Sequence, residues 1–187
     1  MSRQKFTLIA LLLVLVASFT VLLSIGSEIY REKPPIADVY SDSQGQVVFS
    51  SKDIEQGQLV WRSMGGHQLG SVWGHGAYVA PDWTADWLHR EAEAWLDIRA
   101  KETYNKPFNS LDKSTQAALE QALRDDLRHN TVTTDERGHT RVVLSDTRIA
   151  AMAQVSQHYQ SLFGDDPALN ELREAYAMKT NTIGSAE

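Results

Sequence analysis

At 187 residues the chain holds one ordinary domain plus a short appendage. Its 42% hydrophobic and 22% charged content is that of a folding chain rather than a disordered one. A net charge of −6 without any Lys/Arg run excludes a nucleic-acid partner, and the absence of cysteine excludes disulfides and thiolate metal sites.

The first element is apolar. Phe6 to Ser27 is an uncharged run rich in Leu, Val, Ile, Ala and Phe, long enough at ~1.5 Å per residue to cross the roughly 30 Å hydrocarbon core. Arg3 and Lys5 precede it, which keeps that end in the cytoplasm. A cleaved signal peptide has a shorter apolar core ending at an A-x-A-like site, and Ile25-Gly26-Ser27 is a poor one. We therefore expect an uncleaved anchor over 1–27, with the remainder on the far side of a bacterial cytoplasmic membrane, in the periplasm. Residues 28–50, including Pro34-Pro35, read as a membrane-exit linker, stiff and extended at the prolines. Val47 to Phe49 is a candidate short strand within it.

Helical signals dominate the chain beyond the linker. Ser51 to Met64 offers Ile54, Val60 and Trp61 on one side. Asp82 or Thr84 caps a helix with a stripe of Trp87, Leu88, Ala92, Trp95 and Ile98, which Asn105-Lys106-Pro107 ends. Asp112 caps the next, with Leu119, Ala122, Leu123 and Leu127 at helical spacing. Thr131 to Leu144 reads as a β-hairpin turning at Asp135-Glu136-Arg137-Gly138. Ser145 opens a helix that Gly164 closes, and Asp166-Pro167 starts the last one. The expected soluble part is thus a helical domain over 51–180, mainly α with a small β-hairpin, and a tail over 181–187.

The segment from Trp61 to Glu91 carries four of the five tryptophans and three of the six histidines, with glycine at 65, 66, 70, 74 and 76. From Gly65 to Pro81 it has neither helical nor strand periodicity, and such a glycine-rich, aromatic stretch suits close approach to a partner. The block GHGAYVAPDWTADWLHRE (Gly74 to Glu91) resembles the N-terminal region of quinol-dependent, single-chain nitric oxide reductases. More weakly, it resembles the small cytochrome c chain of the two-chain enzymes. The likeness extends to the anchor, the proline collar and LFGDDPALNELREAYAMKTNT near the end. In that cytochrome, a C-x-x-C-H motif precedes the block; the matching positions here are Gly66, His67, Gln68, Leu69 and Gly70. Both thiols and the axial histidine are absent, so covalent haem c attachment is excluded. The resemblance implies a cytochrome c-like helical domain that lacks haem c.

It also implies a partner. In the family this region precedes a membrane-embedded core, related to haem–copper oxidases, that carries haem b and non-haem iron and reduces two NO to N2O with electrons from quinol. That core is either on the same gene product or on a separate chain, and the present sequence reads as a fragment, split subunit or truncated product with no catalytic residues of its own. The two-chain relatives hold a calcium ion with backbone carbonyls of the G-A-Y piece; the matching metal-site residues here are Gly76 and Tyr78, with the core supplying the remaining ligands. Two other classes stay open: a free-standing membrane-anchored interaction or sensor module, and an electron carrier binding haem or metal noncovalently.

The other polar candidates have ordinary explanations beside the sharper ones. His67, His75 and His89 match no zinc spacing; they read as hydrogen-bonding groups that fix the loop, or His75 as a protonatable group at an interface. Trp87 and Trp95 lie on the helix stripe and are expected in the core, whereas Trp73 and Trp83 flank the loop and are expected to face a partner. Asp82, Asp86 and Glu91 read as cap and dipole groups or, alternatively, as a proton path.

Overall fold

In the computed structural model the described residues are 3–31, 36–76, 81–129, 131–164 and 166–176. The chain divides into two units, Met1–Ile36 and Ala37–Glu187. The first is one helix, α1 (Arg3–Arg31), long and apolar enough to cross a membrane, with its large apolar side chains unburied. Thr7 and Thr20 turn their hydroxyls back onto the carbonyls of Arg3 and Val16, so neither offers an unpaired donor to an apolar solvent.

The second unit opens with two strands, β1 (Val39–Ser41) and β2 (Val47–Ser50). They form an antiparallel pair, and β1 runs parallel to β6 (Thr140–Val143), which pairs with β5 (Val132–Thr134). The hairpin expected over 131–144 is therefore half of a four-stranded sheet ordered β2-β1-β6-β5. Its register lines Phe49, Tyr40, Val142 and Val132 side by side, with the Tyr40 and Phe49 rings stacked at 4.4 Å. Asp38 clips the join by accepting from the Thr140 N–H at 2.7 Å and its hydroxyl at 3.0 Å.

The helices start where the capping residues place them. Ser50 and Asp53 open α2 (Ser51–Ser63), the Asp53 carboxylate accepting from the Ser50 N–H at 2.7 Å. Asp82 caps α4 (Trp83–Tyr104), Asp112 caps α5 (Lys113–Arg128) and Ser145 caps α6 (Asp146–Phe163). Asn105, in the left-handed conformation at φ 53°, ends α4. The main helical contact is α4 against α6, with α5 across α4. Trp95, Leu123 and Ala151 bury the α4–α5–α6 junction. There the Trp95 indole donates to Asp126 at 2.8 Å, which also accepts from the capping Ser145 hydroxyl at 2.7 Å; the buried indole keeps a partner, as its polar handle requires.

The expected last helix is shorter than its pattern: a 3-10 turn over Pro167–Leu169 leads into α7 (Asn170–Ala175). Buried Arg173 on α7 donates to the Ser161 carbonyl at 3.1 Å and also bonds the Asp166 carbonyl and the Asn170 side chain. A cation on the last carbonyls of α6 complements that helix's dipole, and this fastens α7 to the fold.

Candidate functional site

The stretch without periodicity is ordered into elements too short to show one. Gly66–Leu69 forms a single helical turn, α3, and Ser71–Val72 and His75–Gly76 form strands β3 and β4. A two-residue turn joins them, with Trp73 at φ 54° and Gly74 at φ 73°. Both residues at positive φ is the type I′ requirement, for which glycine or asparagine is the usual choice. A tryptophan there is an outlier.

The hairpin is tied to the start of α4. The Asp82 carboxylate accepts from the Ser71 hydroxyl at 2.6 Å, the Gly74 N–H at 2.8 Å and the Ala85 N–H at 2.9 Å. The Trp73 N–H donates to the Thr84 hydroxyl at 3.0 Å, and the Ser71 N–H to the Pro81 carbonyl at 3.0 Å. Asp82 is thus cap and clasp together. The Ser71 hydroxyl, then the Ala85 and Gly74 amides, hold its carboxyl below the usual carboxylate range, because each bond favours the charged form.

Behind the hairpin lies an aromatic cluster. Trp83, 7% exposed, packs with Trp61, Tyr159, Phe163 and Tyr176 at centroid distances of 5.5 to 6.5 Å. The positions matching the haem-attachment motif abut it. A Cβ on Gly66 would lie 2.2 Å from the Trp61 ring, and one on Gly70 would lie 2.2 Å from Trp83 Nε1; Leu69 packs against the cluster itself. Side chains fill the volume into which cysteines and a histidine would project.

The tryptophans divide differently from the expectation. Trp83 faces the core and not a partner, because the hairpin bends the chain so that the first residue of α4 points inward. Trp87 is half-buried and stacks on Tyr159 at 5.5 Å, and Trp95 is buried as expected. Trp73 is 76% exposed. Between Trp73 and the α4–α6 pair runs an open groove of about 400 Å³, lined among others by Val72, Trp87, Leu88, Met152 and Arg148.

Two ion pairs sit close to these rings. Buried Glu91, 4% exposed, accepts from Arg148 Nε at 2.8 Å and from the Trp87 indole at 2.9 Å. Asp86 accepts from Arg90 at 2.7 Å and from the Tyr159 hydroxyl at 2.7 Å. Burial pushes the Asp86 carboxyl upward, but the bonds from Arg90 and Tyr159 outweigh it and hold the group below its ordinary value. Burial and the bond to Asp86 push the Tyr159 phenol up. Burial and the Arg90 charge push the neighbouring His158 imidazole down. Asp82, Asp86 and Glu91 each serve separate partners, and among the described residues no hydrogen bond joins one to another.

The three histidines do not converge. His67 and His75 are exposed, and His89 faces Glu93 at 3.4 Å on the surface of α4. Among the described residues no group of three or more His, Cys, Asp or Glu is arranged to hold a metal ion. Gly76 ends β4, while Tyr78 lies outside the described residues. Sequence reasoning missed Arg148 and Tyr159. Both occupy α6, where their partners on α4 lie 57 and 73 positions away in the chain; no local pattern announces them.

Without cysteine the chain attaches no covalent haem c, and the filled aromatic cluster suits a haem-less version of a cytochrome c-like fold. No curated protein sequence matches the chain. Residues 37–187 match the family model of the NorB cytochrome c-like domain of nitric oxide reductase, and the chain belongs to that family.

Proposed function

We propose that this chain is the membrane-anchored, haem-less periplasmic module of a quinol-dependent nitric oxide reductase. In this reading α1 spans the cytoplasmic membrane and residues from Glu28 onward are periplasmic. The second unit docks on a membrane-embedded core that holds haem b and non-haem iron and turns two NO into N2O, in denitrification or NO detoxification. The chain alone is non-catalytic. The observation that carries the reading is the family match over 37–187. The clasped hairpin with its exposed Trp73 supports a docking role, and Arg3 and Lys5 ahead of the apolar run support the orientation.

Calcium fits this docking mode in a limited way. In a two-residue hairpin the pair closing the turn exchanges hydrogen bonds and the next pair does not. Ser71 and Gly76 are that next pair, so the ladder rule directs the Gly76 carbonyl away from β3. With the Tyr78 carbonyl it supplies two oxygens of the six to eight that Ca²⁺ takes, and the core must contribute the rest. When bound, the ion would bridge hairpin and core electrostatically.

The test co-expresses the chain with a catalytic core of the family. Gly76→Val should lower NO turnover of the assembly, and Tyr78→Phe should be nearly silent because the proposed ligand is a backbone atom. A periplasm-dependent reporter fused after Thr180 should be active. Wild-type turnover in Gly76→Val would remove the docking role of the loop, and an inactive reporter would reverse the topology.

A further inference from the structure

We infer that Trp73 is a pre-positioned anchor, and that the groove beside it receives an apolar side chain and an adjacent carboxylate from the membrane-embedded partner. This rests on the docking reading above and names the chemistry of that contact.

Trp73 occupies a position that disfavours it. Its φ of 54° lies in the left-handed region, which a bulky residue visits rarely and with strain. Burial within the described chain does not offset that strain, since the side chain is 76% exposed. The turn is nonetheless held firmly, with the Trp73 amide on Thr84 and the Gly74 amide on Asp82. A large aromatic fixed in a costly conformation and left in water is an anchor prepared before contact, and such preparation lowers the entropy lost on binding.

The groove specifies what the anchor meets. Leu88, 48% exposed, and Met152 continue the apolar surface from Trp73 along α4 and α6, and a volume of about 400 Å³ accommodates an inserted side chain. Arg148 forms the polar end. Its Nε is committed to Glu91, whose other oxygen is taken by Trp87. Both Glu91 oxygens are thus engaged, and the remaining guanidinium hydrogens have no partner among the described residues. The guanidinium fork is built to grip a carboxylate through two parallel bonds. A partner segment carrying an aromatic or aliphatic side chain beside Asp or Glu complements both ends.

The full chain is co-expressed with a catalytic core of the family, and co-purification with the core is measured beside thermal stability. Trp73→Gly should raise Tm by about 2–4 °C, the size expected from relief of one strained residue, yet reduce co-purification at least tenfold. Leu88→Ser should reduce it several-fold with Tm unchanged. Because Arg148 also supports buried Glu91, its role is read from Arg148→Lys and from the paired Glu91→Gln, Arg148→Gln variant, each expected to weaken association several-fold in a folded chain. p-Benzoylphenylalanine at position 73 should cross-link to a core segment containing Asp or Glu. Trp73→Gly that gains stability and still co-purifies at the wild-type level overturns the anchor. A cross-link to lipid, or to a core segment without an acid, overturns the assigned partner chemistry. Failure of the wild-type chain to associate at all overturns the docking reading and this inference together.

Discussion

Gly70→Ala tests whether the aromatic cluster is a closed volume. A Cβ at this position would lie 2.2 Å from Trp83 Nε1, 2.5 Å from the Pro81 carbonyl and 2.8 Å from Trp83 Cδ1. The Trp83 ring cannot swing away freely, since Trp61, Tyr159, Phe163 and Tyr176 surround it. Shifting Pro81 would stretch its bond from the Ser71 amide, which holds β3 to the start of α4. Overpacking costs about 1–3 kcal/mol and the strained hydrogen bond about 1 kcal/mol, so we expect a loss of about 3 kcal/mol. That corresponds to roughly 6–12 °C in Tm for a chain of this size. Chemical denaturation of the detergent-solubilised chain, followed by near-UV circular dichroism, measures it. A cycle with Trp83→Phe should recover about 1 kcal/mol, because removing the indole N–H edge relieves the nearest contact and leaves that to Pro81. Gly74→Ala is the control: its Cβ meets open space, so only the positive φ is penalised, at about 1 kcal/mol. A Gly70→Ala loss below about 0.5 kcal/mol, or no coupling to Trp83, would refute the argument that side chains have closed off the motif positions.

Asp82→Asn should loosen the β3–β4 hairpin while leaving α4 folded, read as faster exchange of the Gly74 amide and an altered environment for Trp73; unchanged exchange would show the clasp to be redundant. The same clasp has a pH signature. The folded Asp82 carboxyl titrates below its unfolded value near 4, so its contribution is complete above that value and is lost as pH falls through the lower folded pKa. Protection of the Gly74 amide, taken relative to its intrinsic exchange rate at each pH, should therefore fall below about pH 4 in the wild type, and this acid step should be absent in Asp82→Asn. Glu91→Ala strands Arg148 and leaves the Trp87 indole without its acceptor. Breaking a buried pair costs about 3–5 kcal/mol; with the Arg148 side chain 28% exposed, we expect about 2 kcal/mol, and a loss under about 0.5 kcal/mol would mean water replaces the carboxylate. Haem staining of the denatured chain should show no band, since there is no thiol to hold the group.

Much of the architecture is legible because it is local. Asp82, Asp112 and Ser145 announce their helices through side chains that satisfy the first amides. Asn105 and Gly164 mark where two of those helices end. The long uncharged run of α1 and the lack of cysteine likewise need no tertiary information: the first reflects solvent preference summed along one segment, the second a missing functional group. Tertiary structure decided the rest. β1 joins β6 across about 100 residues through Asp38 and Thr140, and strands of three and four residues carry too few alternations to predict that pairing. The hairpin of Ser71–Gly76 escaped notice for the same reason. Trp83 and Trp73 look equivalent along the chain, each beside the loop. Only the turn, with Trp73 and Gly74 at positive φ and Asp82 clasping it, sends one indole into the aromatic cluster and leaves the other in water. Arg148 and Tyr159 become site residues only when α6 packs on α4, since a charge or a hydroxyl acquires its role from the partner that folding brings within hydrogen-bond reach.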